Sequence, residues 1–365
     1  MSSEPLQRAP RSSPSQGDCP IRGSFPNTSS RKPSTLRSTL LSRSNTAGPK
    51  GNRSSGSGLR RGSEGAERTS RPSTFSSRAV LNKRSPLPLA RSFLSAGDRI
   101  GLRDPTYPGA LDIFRGLELE LVSSTSPARA YYAQPAIENP NGNPLREFER
   151  RALLEAAQGA SAIIIEDDAY AETIFDGRPA RPLLAEDPER VLHIGTLSKI
   201  LCPGLRIGWL VTRHPKFSEL VSEKQQTDLQ AAPLTQRIVI EYLRGGHLDQ
   251  HLTRIRCDYA RKARTLRKAI ARHLPEFSVQ EPEGGFSLWL EDRPGDPRVS
   301  DLEWLSAAVQ RGVSFDPGRS FRVWPSDRLA LRLCYSSVAE DAIERGVRRL
   351  EEALRALSPD KRPGA

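Results

Sequence analysis

The sequence has few of the features that mark membrane, zinc-knuckle or disulfide-rich secreted proteins. Its four cysteines, Cys19, Cys202, Cys257 and Cys334, form neither a C-x-x-C pair nor a dense framework. Their spacing disfavours zinc knuckles and structural disulfides. No apolar run approaches the roughly 18–20 residues that cross a bilayer, and the N-terminus lacks the apolar core of a signal peptide. We therefore expect a cytoplasmic chain with no membrane partner and no metal.

Aromatic side chains are almost missing from residues 1–90, where only Phe25 and Phe75 occur. This segment holds 21 Ser and 10 Pro, with 16 basic residues against 4 acidic ones, a net charge of +12. The whole chain also carries +12, so residues 91–365 are neutral overall. A segment with so little apolar surface cannot offset the entropy of ordering it. We predict that residues 1–90 are a disordered, solvated basic tail rather than a nucleic-acid-binding domain.

From Arg91 onward, the pattern becomes that of an α/β protein. Continuous apolar runs, typical of strands buried on both faces of a parallel sheet, alternate with helical spacing. They predict a large domain over 91–255 around a mostly parallel sheet. A long helix over 248–274, strands at 286–290 and 329–333 and a last amphipathic helix predict a small C-terminal α+β domain over 256–357. The strand-like runs of the large domain lie at 99–102, 119–122, 162–165, 191–194 and 207–211.

Polar residues that could take part in catalysis or ligand binding follow two of these runs. Glu166, Asp167 and Asp168 come directly after a buried strand, where carboxylates are costly unless they are paired or line a cleft. Ser198 and Lys199 follow the next strand, and Pro-Gly-Leu-Arg ends seven residues later. A lysine nucleophile must be shielded from water to lose its proton, and an anionic phosphate suits hydroxyl donors and a guanidinium fork. One loop therefore supplies an amine, a hydroxyl and an arginine.

These segments, together with others in the same order along the chain, resemble the fold type I, class I/II pyridoxal-phosphate-dependent aminotransferases. The resemblance covers about residues 91–355. It is closest to the aminotransferase-like domain of the MocR subgroup of GntR-type regulators. The remaining matching blocks are Ser95–Asp98, Asp104–Gly109, Asn139–Gly142, Pro282–Phe286, Gly312–Gly318 and Leu331–Leu333.

The resemblance implies a role for each cofactor-contacting residue. Lys199 would hold pyridoxal 5′-phosphate covalently and then move a proton at the substrate α-carbon. Asp167 would pair with the pyridinium nitrogen, so that the ring can act as an electron sink. Asn139 and Tyr170 would hydrogen-bond the ring's phenolic oxygen, and Tyr107 would stack on the ring.

The same resemblance implies how anionic groups are held. Ser198 and Arg206 would bind the cofactor phosphate, and Arg332 would take the substrate α-carboxylate as a bidentate pair. The implied reaction transfers an amino group between an α-amino acid and a 2-oxo acid, and the implied assembly is a homodimer.

One part of the family pattern cannot be read in this sequence. A Ser-Gly-x-x-Gln type loop, which donates hydrogen bonds to the phosphate, and the sheet strand before it should precede Ser95. The stretch from Arg78 to Leu89 contains no such loop. With GC-rich codons, another forward frame of that stretch encodes Ser-Gly-Ser-Glu-Gln-Ala-Phe, so we hypothesise that the N-terminal part is missing or out of frame.

Three interpretations therefore stay open. The chain is an active aminotransferase, a non-catalytic effector-sensing and dimerisation domain of a MocR-type regulator, or an inactive frameshifted remnant. No winged helix is visible in the sequence, which argues against DNA binding by this chain.

Overall fold

The computed structural model describes residues 77–82, 87–179, 181–292 and 299–357. Within these ranges the chain forms two sheets, one of seven strands and one of four. The five apolar runs found in the sequence become five strands of the larger sheet, four of them inside it and one at its edge.

The seven-stranded sheet has the order β1-β7-β6-β5-β4-β2-β3. Neighbouring strands from β3 to β6 pair in parallel, whereas β7 pairs antiparallel to both β6 and β1. The predicted fold class, a mostly parallel α/β sheet, is confirmed. The strands are β1 (Ser77–Asn82), β2 (Arg99–Leu102), β3 (Glu120–Ser123), β4 (Ala130–Ala133), β5 (Ile163–Asp167), β6 (Val191–Thr196) and β7 (Ile207–Thr212).

Helices cover both faces of this sheet. Successive strand residues point to opposite sides, so a continuous apolar run gives each face an apolar surface that a helix can bury. Ile163 and Ile165 pack in a cluster with Phe114 of the first helix, whereas Ile164 packs on the other face with Leu153. The helices that flank this sheet are α1 (Pro108–Gly116), α2 (Glu147–Gly159), α3 (Phe217–Asp228) and α4 (Pro233–Arg244).

The second sheet is antiparallel and belongs to the C-terminal part of the chain. Its order is β10-β11-β9-β8, and its core includes Trp304, Leu288 and Leu331, all fully buried. The long helix α5 (His247–His273) crosses the division expected near residue 255. Leu252 packs with the large sheet and Ile270 with the small one. The other elements are β8 (Phe277–Val279), β9 (Ser287–Asp292), α6 (Asp301–Val309), β10 (Asp316–Pro317), β11 (Ala330–Cys334) and α7 (Glu340–Leu357).

One expectation from the sequence is corrected. The expectation that the strand before Ser95 is missing is wrong, because β1 pairs with β7 through six register positions, from Ser77 opposite Thr212 to Asn82 opposite Ile207. An edge strand needs only backbone pairing with one neighbour, so it leaves little apolar signal. A short 3₁₀ helix, Leu87–Ser92, also begins before Arg91. The rest of the predicted tail, residues 1–76 and 83–86, lies outside the described residues.

Among the described residues, Cys202 and Cys334 are free and exposed. The described helices include none that combines the length and apolar character needed to span a bilayer.

Candidate active site

The strand ends of the large sheet deliver most of the candidate residues to one edge. Parallel strands present their carboxyl ends on the same side, which is where open α/β sheets bind ligands. Asp167 ends β5, and Lys199 lies just beyond β6, the strand paired with β5. Asn139 follows β4 on the other side of β5, and Tyr107 follows β2. Residues far apart in sequence therefore meet because their strands are neighbours.

Asp167 is a buried carboxylate that Tyr132 holds in place. The Tyr132 hydroxyl donates to Asp167 Oδ2 over 2.7 Å, and both side chains are buried. Burial raises the pKa of Asp167, while the Tyr132 hydrogen bond, the Ala169 N–H and the charges of Lys199 and His193 act in the opposite direction. A further cation beside Asp167 would favour its ionised form in the same way.

Lys199 lies beside a pair of packed aromatic rings at the same edge. Its Nζ is 5.7 Å from the ring centroid of Tyr170 and 5.6 Å from that of Phe286. Burial lowers the pKa of Lys199, the charge of Arg332 lowers it further, and Asp167 opposes both effects. An amine with a lowered pKa is more often neutral, which is the form that attacks a carbonyl.

Arg332 reaches this edge from the small sheet. Its Nη1 donates to Asn139 Oδ1 over 2.7 Å, and its Nε and Nη2 donate to Asp316 Oδ2 over 3.0 and 2.8 Å. The Arg332 Cζ lies 4.9 Å from the ring centroid of Phe321. A guanidinium from the C-terminal part is thus fixed directly beside a residue of the large domain.

The two tyrosines of the predicted site have different environments. Tyr170 is buried against Phe286, with 5.3 Å between ring centroids, and burial raises its pKa. Tyr107 precedes α1, and its ring lies over Gly109, where an added Cβ would come within 2.7 Å of it. Burial, followed by the charge of Asp167, raises the pKa of Tyr107, so this ring lies within electrostatic reach of the same carboxylate.

Two hydroxyls meet in the loop that carries Lys199. The Thr196 hydroxyl lies 3.0 Å from Ser198 Oγ, and the Ser198 N–H donates to Thr196 Oγ1 over 3.2 Å. Arg206 has a left-handed backbone, with φ 54° and ψ 36°, immediately before β7. Its side chain is exposed and has no hydrogen-bond or ion-pair partner among the described residues. The Ser198 hydroxyl and the Arg206 side chain are available to an anion, as the resemblance implies, whereas the Thr196 hydroxyl also donates to the Ile207 carbonyl over 3.0 Å.

A second layer of ionisable groups lies behind Asp167. Glu166 is fully buried and accepts hydrogen bonds from the Leu183 and Leu184 N–H groups, at 2.6 and 3.1 Å, and from His193 Nδ1 at 2.9 Å. Burial raises the pKa of Asp168 to about 7, and its buried Oδ1 has no hydrogen-bond partner among the described residues. Most buried polar atoms in proteins have a hydrogen-bond partner, and Asp168 Oδ1 is one of the exceptions in the described part of this chain.

Sequence reasoning missed several residues of this site. Tyr132 and Phe286 stand in strand-like segments, where aromatic residues look like core. Asp316 gave no signal because its contact with Arg332 comes from cross-strand pairing. Thr196 could have been found, since it is a hydroxyl residue in the same short loop as Ser198.

The family comparison agrees with this geometry. The family model described as "Aminotransferase class I and II" matches residues 134–350, from the end of β4 to the last helix. The chain is 32% identical to aromatic-amino-acid aminotransferase 1 of Thermococcus litoralis over 73% of this chain and 69% of that protein.

Two further similarities concern structure and regulation. The crystal structure of LysN, an α-aminoadipate aminotransferase of Thermus thermophilus complexed with N-(5′-phosphopyridoxyl)-L-leucine, matches with a TM-score of 0.70 and 28% identity. That match covers 77% of this chain and 78% of LysN. The HTH-type transcriptional regulator TauR of Rhodobacter capsulatus is 32% identical over 73% of this chain but only 57% of its own length.

Proposed function

Because this chain belongs to the class I and II aminotransferases, we propose that it is a pyridoxal-phosphate-dependent aminotransferase acting on an α-amino acid and a 2-oxo acid. The observation that carries the proposal is the convergence of Lys199, Asp167 and Arg332 at one sheet edge. An amine, a buried carboxylate and a guanidinium are three groups that this reaction needs.

The described residues fit the cofactor. Asp167 offers a buried carboxylate for a protonated ring nitrogen, and the Tyr107 ring offers a surface for stacking. Arg206, which has no partner among the described residues, and the hydroxyl of Ser198 offer donors for the phosphate. When bound, pyridoxal phosphate supplies an electron sink for the α-carbon of the amino acid.

The protein's own groups then have separate tasks. Arg332 would bind the α-carboxylate and so orient the substrate. Lys199 would accept the proton from the α-carbon, because burial and the charge of Arg332 lower its pKa and so favour the neutral amine. Asn139 and Tyr170 would hold the ring's phenolic oxygen, and the Arg332–Asn139 hydrogen bond links the carboxylate site to that position.

A regulatory role is the second candidate, and similarity to TauR favours it. In that case the domain would bind an amino acid as an effector and dimerise without turnover. No winged helix occurs among the elements of the described residues, so any DNA-binding part would lie elsewhere. The homodimer and the cytoplasmic location both stay predictions.

A half-reaction distinguishes the two candidates. The chain loaded with pyridoxal phosphate is mixed with single amino acids, and the absorbance of the cofactor and the released 2-oxo acid are followed. An enzyme should convert its cofactor to the amine form and release one equivalent of 2-oxo acid, and adding a 2-oxo acid should reverse the change. Lys199→Ala should be inactive, and the exposed-site variant Lys268→Ala should match the unmodified chain. Amino-acid binding without conversion would favour the regulator.

A further inference from the structure

Asp316 places a negative charge directly against the arginine expected to bind the substrate. Asp316 and Arg332 face each other across the β10–β11 pair, so backbone register sets their contact. The two segments approach closely beside this pair, because a Cβ added at Gly318 would lie 2.4 Å from the Ala330 carbonyl oxygen.

The contact leaves part of the guanidinium free. Arginine has five N–H donors, and the Asp316 and Asn139 contacts use one hydrogen on each of Nε, Nη2 and Nη1. Each terminal nitrogen keeps one hydrogen, which suits a bidentate carboxylate. A substrate α-carboxylate can therefore bind Arg332 while Asp316 stays in place. The guanidinium of Arg332 would then be hydrogen-bonded to two carboxylates, that of Asp316 and that of the substrate.

Asp316 also lies on the open side of this group. The Asp316 side chain is 47% exposed, against 17% for that of Arg332. Among the described residues, Asp316 forms its ion pair with Arg332. The Cys334 thiol lies 3.8 Å from Asp316 Oδ2 on the same face of the sheet. Once the substrate α-carboxylate is bound, two carboxylates share the Arg332 guanidinium, and a further carboxylate beside Asp316 would be repelled.

We propose that Asp316 is a specificity-determining residue that selects amino acids with neutral or cationic side chains and rejects those with a second carboxylate. The inference rests on the proposed function, because it takes Arg332 as the α-carboxylate site. It sets this chain apart from the similar structure LysN, which is named for the dicarboxylic acid α-aminoadipate.

Three six-carbon amino acids test the charge effect at constant length: L-2-aminoadipate, L-norleucine and L-lysine. In the unmodified chain, kcat/KM should be lowest for aminoadipate. Asp316→Asn, which keeps the shape, should raise the aminoadipate-to-norleucine ratio of kcat/KM by on the order of tenfold, because like charges a few ångströms apart repel in a partly buried site. Asp316→Glu should keep the original order, and the exposed Asp327→Asn should change nothing. A purely structural role for Asp316 would alter all three substrates equally and would overturn the inference.

Binding without turnover separates this inference from the proposed function. Calorimetric titration with 2-oxoadipate and 2-oxohexanoate should show that Asp316→Asn tightens 2-oxoadipate binding by about tenfold relative to 2-oxohexanoate. If this binding change is seen but no transamination occurs, the proposed enzymatic function is refuted, while the proposed effect of Asp316 on ligand choice is supported. An aminoadipate preference in the unmodified chain, or failure of both acids to bind either protein, would refute the role of Asp316.

Discussion

At the scale of single residues, opposing electrostatic effects tune the site. Burial raises the pKa of Asp167 and lowers that of Lys199, so desolvation alone pushes each group toward its neutral form. Their mutual attraction acts against burial in both cases. Arg332 adds to the effect on Lys199, which leaves the amine closer to its reactive neutral form.

Tyr132 is the residue through which this balance can be tested. Tyr132→Phe removes the hydrogen bond to Asp167 Oδ2 and should raise the pKa of Asp167, which weakens its hold on a protonated ring nitrogen. A hydrogen bond to a charged group contributes roughly 1.5–3 kcal/mol, so the single-turnover rate of amino transfer should fall by about 10- to 100-fold. In Asp167→Asn the single-turnover rate should fall further, by on the order of 10²- to 10⁴-fold.

The neighbouring Tyr131 offers a matched control. Its hydroxyl donates to the Ser126 carbonyl over 3.0 Å and does not contact Asp167. Tyr131→Phe should therefore leave the rate nearly unchanged. Equal rates for the Tyr132 and Tyr131 variants would show that the Tyr132 hydroxyl has no part in the reaction.

The sequence allowed us to predict candidate site residues that stand close together along the chain. It did not reveal those that act on another residue through contacts in the folded structure. Lys199 and Ser198 lie in one loop with Arg206, and Asp167 directly follows an apolar run, so their types and spacing are visible. Tyr132 acts on a residue 35 positions away, because β4 pairs with β5. Asp316 contacts Arg332 across a strand pair, and β10 is only two residues long, which is too short to be predicted from sequence.

At the scale of elements, apolar sequence rather than position in the sheet decided which strands were predicted. The inner strands β5, β6 and β7 contain continuous apolar runs and lie close to the predicted ranges, and the edge strand β3 was also predicted although only one of its four residues is buried. β4 was missed because it is short and holds two tyrosines, although all four residues are buried. β1 was missed because it is an edge strand in a polar, proline-rich context.

The edge strand leads to a prediction about stability. A chain beginning at Ser77 keeps β1, and one beginning at Leu87 loses it and exposes the backbone of β7. We expect the first to melt at the temperature of the full chain. The second should melt at a lower temperature and self-associate, because unpaired strand edges recruit other strands. Circular dichroism melts and light scattering measure both effects, and identical behaviour of the two truncated chains would show that β1 adds nothing to the fold.

At the scale of the whole molecule, the site depends on both sheets. The large sheet supplies Lys199, Asp167 and Asn139, and the small sheet supplies Arg332 and Asp316. Composition and periodicity predicted the two-part α/β plan, and the resemblance predicted the family. Neither showed how closely the small sheet approaches Asn139, because that approach depends on packing along α5.

Mapping the reduced cofactor onto the sequence shows whether Lys199 anchors pyridoxal phosphate in this chain. The protein is saturated with the cofactor, reduced with borohydride, digested and analysed by mass spectrometry. We expect a phosphopyridoxyl group on Lys199, its loss in Lys199→Ala and its persistence in Lys268→Ala. Modification of a different lysine, or of none at saturating cofactor, would refute the role of Lys199.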